Sequence, residues 1–366
     1  DLPEGREALA AELAARTVDD DYQYLLDLVR AFVGEKRFAL GVQLVEGRQD
    51  PIDVSRAYAW LADVAIDRLT RATLEQYEEA HGRVPGGELV ILAFGRLGGE
   101  ALTHASDLDL VLLFTGEHGV ESDGRRPLGA TQYFNRLGQR VVAALSVPTA
   151  TGALYEVDTR LRPSGTQGLL CASLDSFAKY QREDAWTWEH MALTRARVVY
   201  GSEDARAAVE AVIADILNIE RDPQKLRKDI PEMRAEMAEH KPPKGPLDVK
   251  LCPGGLVDAE FAIHARQLEL RTAFTPRLDE AAKALTTAGL LSAGFAEAQA
   301  LLSRLLVMLR LVAPDDQEPG EAAQALVAKA LGQADWTALM AAVADAKKLI
   351  KDAWDSYATS KQEPSK

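Results

Sequence analysis

Residues 106–114 read Ser-Asp-Leu-Asp-Leu-Val-Leu-Leu-Phe, and their side chains alternate with the period of two that a β-strand imposes. Asp107 and Asp109 therefore share one face of the predicted strand. Residues 153–161 alternate in the same way and carry Asp158 on a polar face. If the two strands are neighbours, the three carboxylates converge, and a fold retains such a cluster only where positive charge sits beside it. A pair of Mg²⁺ ions is the usual partner, because Mg²⁺ prefers carboxylate and phosphate oxygens.

Two interpretations of Asp107, Asp109 and Asp158 compete. Charged residues at strand ends are commonly solvated edge residues that bind nothing. The alternative is a two-metal nucleotidyl-transfer site, in which one ion activates the attacking oxygen and the other neutralises the triphosphate and the leaving pyrophosphate. A bare Asp-x-Asp is a weak signal. The preceding serine, the upstream Gly-Gly turn and the third aspartate together favour the nucleotidyl-transfer site.

A glycine-rich turn at 95–99, Gly-Arg-Leu-Gly-Gly, follows an apolar run at 89–94 that is typical of a strand buried on both faces. Glycines let backbone N–H groups approach a phosphate closely, so Gly98 and Gly99 are candidate phosphate contacts. The turn is not a Walker A loop, because GxxxxGK[ST] is absent, and a plain tight turn is the alternative. Ser106 could hold a phosphate oxygen through its hydroxyl or merely cap its own turn.

Three basic residues are further candidates for phosphate binding. Arg160 and Arg162 continue the face of Asp158, and arginine forks suit phosphate oxygens. Internal neutralisation of the carboxylates is the alternative for both arginines. Lys250 precedes a Gly-Gly turn that leads into a predicted helix, and from there it could reach back over a nucleotide. The acidic residues in the first turn of that helix also complement the helix dipole.

Residues 186–197 are dense in aromatic and charged side chains. Aromatic and leucine positions at helical spacing are most often core. We expect Glu189 to form a partly buried ion pair with Arg195 or Arg197 that braces the wall of the site. We interpret His190 as a structural histidine rather than a catalyst.

Composition limits the function classes. The chain has 366 residues, a formal net charge of −14 and a pI near 5.0, which argues against a general nucleic-acid binder. Cys171 and Cys252 lie in unrelated contexts, so structural zinc is not expected and a reducing, cytoplasmic location fits. No apolar run reaches membrane-spanning length. The first residues carry no initiator methionine and no apolar leader, which is typical of an excised fragment rather than of a secreted chain.

The organisation predicts an α+β protein. We expect an N-terminal helical region at 1–82, a small mixed-sheet nucleotidyltransferase domain at 83–203 and a C-terminal helical bundle at 204–366. Residues 21–45 predict several short amphipathic helices rather than one. The middle part is predicted to hold strands at 89–94, 107–114, 153–161 and 168–172, and helices at 100–104, 133–145, 173–182 and 185–199.

These motifs resemble the glutamine synthetase adenylyltransferase family, within the DNA polymerase β-type nucleotidyltransferase superfamily. The resemblance spans about 89–261 and its motifs are highly specific together. Arg96 stands where the family usually carries lysine, so the charge survives. Met191 stands where the family often carries glutamine, which affects a polar contact on the substrate side. The matching stretches are 95–99, 106–110, 155–165, 185–190, 195–197 and 254–261.

Full-length members of that family resemble two tandem copies of this unit, one removing AMP from glutamine synthetase by phosphorolysis and the other adding it. Residues 156–158, 163–165 and 180–190 resemble the C-terminal, adenylylating copy. The resemblance therefore implies transfer of AMP from ATP to a tyrosine of glutamine synthetase, with release of pyrophosphate and a fall in the activity of that enzyme. It also implies a PII signal protein as regulator, acting through this or other parts of the full-length enzyme.

The resemblance also implies roles for the site residues. Asp107 and Asp109 would hold both of two Mg²⁺ ions, for which Mn²⁺ can substitute, and Asp158 would hold the catalytic ion and accept the tyrosine proton. Contacts to the nucleotide phosphates would come from Gly98, Gly99, Ser106, Arg160, Arg162 and Lys250.

Three rival functions stay open on the sequence alone. The phosphorolytic, adenylyl-removing half would share the same metal chemistry. A uridylyltransferase that acts on PII proteins would have a similar architecture and would prefer UTP. A regulatory module that only binds glutamine synthetase or PII belongs to a different class, since it would need no metal.

Overall fold

A computed structural model describes residues 2–17, 21–313 and 317–359 of the chain. Its N-terminal part is helical, as predicted, but residues 21–45 contain one long helix instead of several short ones. Packing along the next helix stabilises it, which offsets the low helix propensity of its two glycines. The helices of this part are Arg6–Arg16 (α1), Tyr22–Val45 (α2) and Pro51–His81 (α3).

The middle of the chain forms a small mixed sheet. Its strand order is β3-β2-β1-β5, and β4 also pairs with β2. The first strand runs antiparallel to β2 and β5, whereas β2 runs parallel to β3 and β4. The α+β class is therefore confirmed. The strands are Leu89–Ala93 (β1), Leu108–Phe114 (β2), Val157–Asp158 (β3), Cys171–Ser173 (β4) and Arg197–Tyr200 (β5).

Several predicted elements around the sheet are wrong in extent or type. The strand predicted at 153–161 shrinks to two residues, because only the start of β2 is free to pair there. The helix predicted at 185–199 ends at Leu193, and the chain then enters β5, where two buried valines complete the sheet. A helical turn occupies 95–98, and 100–104 is not helical.

The remaining helices cover the sheet and build the C-terminal half. Four of them lie within or beside the sheet region: Gly95–Gly98 (α4), Ala130–Ser146 (α5), Leu174–Glu183 (α6) and Thr187–Leu193 (α7). The C-terminal half contains Glu203–Leu217 (α8), Pro223–His240 (α9), Leu256–Leu270 (α10), Leu278–Thr287 (α11), Phe295–Val312 (α12), Glu321–Ala330 (α13) and Trp336–Thr359 (α14).

One connected hydrophobic core runs through the described residues, from Leu9 in α1 to Tyr357 in α14. The sheet lies inside it, with all residues of β1 buried. Helices α3 and α8, one from each flank, pack on β5, and the helical turn α4 packs against β2. The boundaries at 82 and 203 stay predictions. Among the described helices, none combines the length and apolar character needed to cross a lipid bilayer.

Candidate active site at the sheet edge

The three predicted carboxylates lie together at one end of the sheet. Asp109 and Asp158 are register partners in the parallel pair β2–β3, and Asp107 immediately precedes β2. One carboxylate oxygen from each residue lies within 4.8 Å of the other two. Parallel pairing places equivalent side chains on the same face, so the strand register itself brings the groups together. We call Asp107, Asp109 and Asp158 the acid edge.

The electrostatics of the acid edge are uneven. Partial burial, with the charges of Asp107 and Asp158, raises the pKa of Asp109 to about 6. Asp158 is different, because hydrogen bonds from the Arg160 guanidinium hold the pKa of that carboxyl below its usual value. The Arg160 Nε donates to both Asp158 oxygens, at 3.0 and 2.8 Å. The acid edge therefore carries one carboxylate whose charge is destabilised and one whose charge is stabilised.

Gly95 is a site residue that the sequence analysis did not single out. It has a φ of 55°, and a Cβ built there would lie 2.2 Å from Oδ2 of Asp109. Any side chain at this position would displace that carboxylate, so only glycine fits. The signal available in the sequence was its place as the first glycine of the turn directly after β1.

Gly98 and Gly99 are packing positions in this structure. Their N–H groups donate to the carbonyl oxygens of Phe94 and Gly95, at 2.8 and 3.2 Å. A Cβ on Gly98 would lie 2.0 Å from the carbonyl oxygen of Arg195, and one on Gly99 would lie 2.7 Å from Nη2 of the same arginine. The two glycines therefore let the turn close onto Arg195. Their contact with phosphate stays a prediction.

Ser106 and Arg162 both have partners within their own loops. The hydroxyl of Ser106 accepts from the Thr103 amide at 2.9 Å, which is the turn cap that the sequence left open. Nη1 of Arg162 donates to the carbonyl and hydroxyl oxygens of Thr159, at 2.9 and 3.1 Å. Arg160, in contrast, is hydrogen-bonded to Asp158 of the acid edge.

A second cluster, of basic residues, lies beside the acid edge. We call Arg96, Arg195 and Lys250 the basic wall. Nη1 of Arg195 donates to Oε1 of Glu260 at 3.1 Å, and Lys250 interacts electrostatically with both Asp107 and Asp109. Three cations therefore share one carboxylate of α10 within reach of the acid edge.

The charges of the basic wall are partly desolvated. Burial, with repulsion from Arg195, lowers the pKa of Arg96 to about 10, and burial next to Arg96 lowers the pKa of Lys250. Burial alone would raise the pKa of Glu260, but Arg195 and Arg96 outweigh it and the pKa is lowered. The Nε of Arg195 is buried and has no hydrogen-bond partner among the described residues. Such an arrangement favours an anionic ligand.

The predicted ion pair of Glu189 is wrong. Glu189 accepts from the hydroxyl of Tyr180 at 2.9 Å, and Arg197 pairs with Asp63 of α3 at 2.7 Å. Arg195 pairs with Glu260 of α10 instead, because α10 packs on α7. The structural interpretation of His190 fits its geometry, since Nε2 contacts the carbonyl oxygen of Gln181 at 2.8 Å.

A cavity of about 510 Å³ adjoins both clusters. Helices α7, α9 and α10 supply most of its walls, and Gly95, Arg195 and Glu260 also line it. We call it the side cavity. Its volume falls in the range of small-molecule sites. The apolar part of its lining consists mainly of Leu161, Trp188, Met191, Met233, Met237 and Phe261.

Clustered carboxylates beside cations have the donor chemistry to hold a divalent metal next to an anionic ligand, which is the arrangement that metal-dependent nucleotidyl transfer requires. A family model described as glutamate-ammonia ligase adenylyltransferase matches residues 2–212, and one described as GlnD PII-uridylyltransferase matches residues 225–356. The chain belongs to the glutamate-ammonia ligase adenylyltransferase family.

Curated relatives agree with this assignment. The chain is 44% identical over 342 residues to the bifunctional glutamine synthetase adenylyltransferase/adenylyl-removing enzyme of Rhizobium meliloti. This match covers 90% of this chain and 34% of the relative. It is 41% identical over 350 residues to the protein of the same name from Xanthobacter autotrophicus, covering 92% of this chain and 35% of the relative. The chain thus spans about a third of the length of these relatives. The family resemblance drawn from the motifs is confirmed.

Proposed function

We propose that this chain is an adenylyltransferase unit that moves AMP from ATP to a tyrosine hydroxyl of glutamine synthetase and so lowers the activity of that enzyme. The observation that carries the proposal is the meeting of Asp107, Asp109 and Asp158 within 4.8 Å, opposite the basic wall. The curated relatives carry this activity in their names.

The acid edge suits divalent cations. Its oxygens are hard ligands at a spacing that one or two ions can bridge, and the raised pKa of Asp109 reflects burial and repulsion from Asp107 and Asp158, which such ions would offset. We propose Mg²⁺, with Mn²⁺ as a substitute, held by Asp107, Asp109 and Asp158. When bound, the two ions would activate the attacking oxygen and offset the negative charge of the triphosphate.

The reaction itself is a displacement at the α-phosphorus. The tyrosine oxygen forms a bond to that phosphorus, the bond to the β-phosphate bridging oxygen breaks, and pyrophosphate leaves. We propose that Lys250 and Arg195 stabilise the leaving group, because they lie beside the acid edge and share only one carboxylate. A free tyrosine has a pKa of about 10, so its proton must be lost on attack, and we propose that it passes to solvent water. The low pKa of Asp158 suits a permanently ionised metal ligand better than a proton acceptor.

The phosphorolytic direction is the second candidate. The names of the relatives include an adenylyl-removing activity, and the same acid edge would serve it, with inorganic phosphate entering where pyrophosphate leaves. A uridylyltransferase activity on PII, or control by PII, rests on the family model that matches residues 225–356. We place the action in the cytoplasm, where glutamine synthetase and ATP would be met together.

One set of assays tests the proposal and its rivals. Chain, Mg²⁺, α-labelled ATP and glutamine synthetase are incubated, and label on the protein is followed. We expect labelling by the wild type and by Asp175→Asn, which alters an exposed carboxylate of α6, and none by Asp158→Asn. Label on PII from UTP would instead support the uridylyltransferase.

Two further results would redirect the proposal. Phosphate-dependent release of AMP from modified glutamine synthetase, without any forward labelling, would assign the chain to the adenylyl-removing half. Binding of glutamine synthetase with no transfer in either direction, and no effect of Asp158→Asn, would leave only a regulatory binding module.

A further inference from the structure

We propose that a small cavity lined by Arg195 and Gln299 binds a singly charged oxyanion that carries a proton, the class to which bicarbonate and dihydrogenphosphate belong. The cavity has a volume of about 50 Å³ and lies among α3, α10, α11, α12 and the residues that follow α4. We call it the inner cavity. Among the described residues, it shares only Arg195 and Glu260 with the side cavity. Its volume admits a few water molecules or one small ion and no nucleotide, so the proposal goes beyond AMP transfer.

Three buried polar atoms in the lining of the inner cavity lack a hydrogen-bond partner among the described residues. They are the Nε atoms of Arg56 and Arg195 and Oε1 of Gln299. Arg195 is 6% exposed and Gln299 is 4% exposed, so bulk solvent does not pair with them. Because unpaired buried donors and acceptors destabilise a fold, a ligand that pairs with all three atoms is favoured.

Local geometry leaves these atoms available to a ligand. Nη1 of Arg195 donates to Oε1 of Glu260 at 3.1 Å, whereas Nε lies beside Gly99, where a Cβ would come within 3.1 Å of it. The missing side chain at Gly99 therefore keeps the Nε edge of the guanidinium open to the inner cavity. On α12, Nε2 of Gln299 donates to Oγ of Ser303 at 3.0 Å, which leaves Oε1 as the unpaired end of the amide.

The unpaired atoms and the charges define the class of ligand. Two guanidinium N–H groups require an acceptor, and the amide oxygen of Gln299 requires a donor. Arg96 and Arg195 both line the inner cavity and both act on the carboxylate of Glu260, so one positive charge is left over. A singly charged oxyanion with one O–H group meets these requirements. Its oxygens accept from the arginines, its hydroxyl donates to Gln299, and its charge offsets the excess.

Water alone pairs with the three atoms but does not balance the charge. A few water molecules fit the volume, and each can donate and accept. They would leave the excess positive charge of Arg96 and Arg195 unmatched, where burial already lowers the pKa of Arg96. The other charged groups of the lining have neighbours of opposite sign: Asp53 for Arg56, Asp279 for Arg277 and Arg197 for Glu100.

The first test is the thermal unfolding midpoint in bicarbonate, phosphate, nitrate or chloride, at equal ionic strength and neutral pH. Nitrate and chloride are also singly charged but have no hydrogen to donate. We expect bicarbonate or phosphate to raise the midpoint saturably, by about 3–4 °C at about a hundredfold excess over its Kd. Nitrate and chloride should raise it by less than about 1 °C. The tighter of the two binding ions shows whether the inner cavity prefers a planar or a tetrahedral oxyanion.

Gln299→Leu tests the role of the proton. The substitution keeps the approximate size of the side chain and removes the acceptor, so calorimetric affinity for the favoured ion should fall about tenfold. Affinity for nitrate should not change. Gln139→Leu, at an exposed position of α5, is the matched control and should bind all four ions as the wild type does.

Arg56→Gln keeps the proposal falsifiable if Gln299→Leu fails to fold. It removes one donor at the partly exposed end of the inner cavity, so it should weaken binding of the favoured ion about tenfold. Arg71→Gln, which removes an exposed arginine of the same helix, should not. A midpoint that nitrate raises as much as bicarbonate and phosphate do, or that none of the ions raises, would overturn the proposal. An ion that binds equally well to folded Gln299→Leu and Arg56→Gln, and that ATP with Mg²⁺ displaces, would lie at the basic wall and would overturn it too.

Discussion

The acid edge and the basic wall are opposite in charge and are built in different ways. Asp109 and Asp158 come together through the register of two parallel strands. The basic wall draws Arg96, Arg195 and Lys250 from a helical turn, a post-helix loop and a pre-helix loop, joined through Glu260 of α10. Backbone pairing places the first cluster, and tertiary packing places the second.

Each cluster is unfavourable by itself. Burial and like charges raise the pKa of Asp109 to about 6 and lower that of Arg96 to about 10. Both shifts run against the charged forms, because each group is buried and has a like charge nearby. A ligand that is cationic at one end and polyanionic at the other, as a metal–nucleotide complex is, would relieve both clusters together.

The largest expected effect follows from removing the Asp109 carboxylate, whose pKa is raised. Asp109→Asn keeps the shape of the side chain but loses a metal ligand, so we expect the rate of AMP transfer to fall about 1,000-fold. The thermal unfolding midpoint should stay the same or rise, because a repelled carboxylate is gone. Rates of label transfer at saturating Mg²⁺, with Asp175→Asn as the exposed control, check this. A loss of less than about threefold would show that the acid edge does not carry the chemistry.

The difference in construction decides what the sequence could predict. The two-residue alternation around Asp107 and Asp109 reports which face a side chain takes, so the acid edge could be predicted from a pattern of a few residues. Arg195 offered no such pattern. Its partner, Glu260, is 65 positions away and is set by the packing of α10 on α7.

Secondary structure, too, could be predicted where a local pattern determines it and was missed where tertiary packing does. Helices with steady apolar spacing, such as α5 and α6, were predicted to within a few residues. Strand β5 was missed because its four residues form a strand only where the edge of β1 is free to pair. The roles of Gly95 and Gly98 could not be separated by sequence, since one faces a carboxylate and the other a carbonyl only in the folded chain.

The second prediction concerns the packing that positions the basic wall. In Gly98→Ala, the new Cβ would lie 2.0 Å from the Arg195 carbonyl oxygen and 2.8 Å from that of Ala93. Both close atoms belong to the backbone, which can move only with strain. We therefore expect the free energy of unfolding to fall by about 2–3 kcal/mol. Gly34→Ala is the matched control, because Gly34 is exposed on α2 and no atom of the described part of the chain lies within 4 Å of the added Cβ. It should stabilise the chain by up to about 1 kcal/mol. Equal unfolding curves for the two variants would contradict the tight turn.

The third prediction is a pH dependence of the free energy of unfolding, which arises from His264 of α10. Burial lowers the pKa of His264 to about 4, and its Nδ1 lies 2.9 Å from both Thr194 Oγ1 and Gln267 Oε1. The folded pKa lies below the unfolded value of about 6.5, so the unfolded chain binds more protons between these values and stability falls on acidification. At pH 5 this loss is about 2 kcal/mol relative to pH 7.5.

Urea unfolding at the two pH values measures that loss. His264→Asn should lower stability at pH 7.5 but show a flatter pH dependence, because it cannot take up the proton. His118→Gln, at an exposed position next to Phe114, should keep the wild-type dependence. An identical pH dependence in His264→Asn and the wild type would show that another group controls the acid limb.

The smallest expected effect separates the two roles left open for Arg160. Arg160 is exposed and its guanidinium is bound to Asp158, so it competes with any metal for those oxygens. In Arg160→Ala we therefore expect Mn²⁺ to bind slightly more tightly and the transfer rate to change by no more than about threefold, as for exposed ion pairs generally. Arg182→Ala, which removes an exposed arginine of α6, is the control for a change of net charge. Mn²⁺ titration and label transfer are measured on both variants. A tenfold loss of rate at unchanged Mn²⁺ affinity would mean that Arg160 leaves Asp158 during the reaction and binds the nucleotide phosphates. The polyphosphate would then be bound both by Arg160 beside the acid edge and by the basic wall.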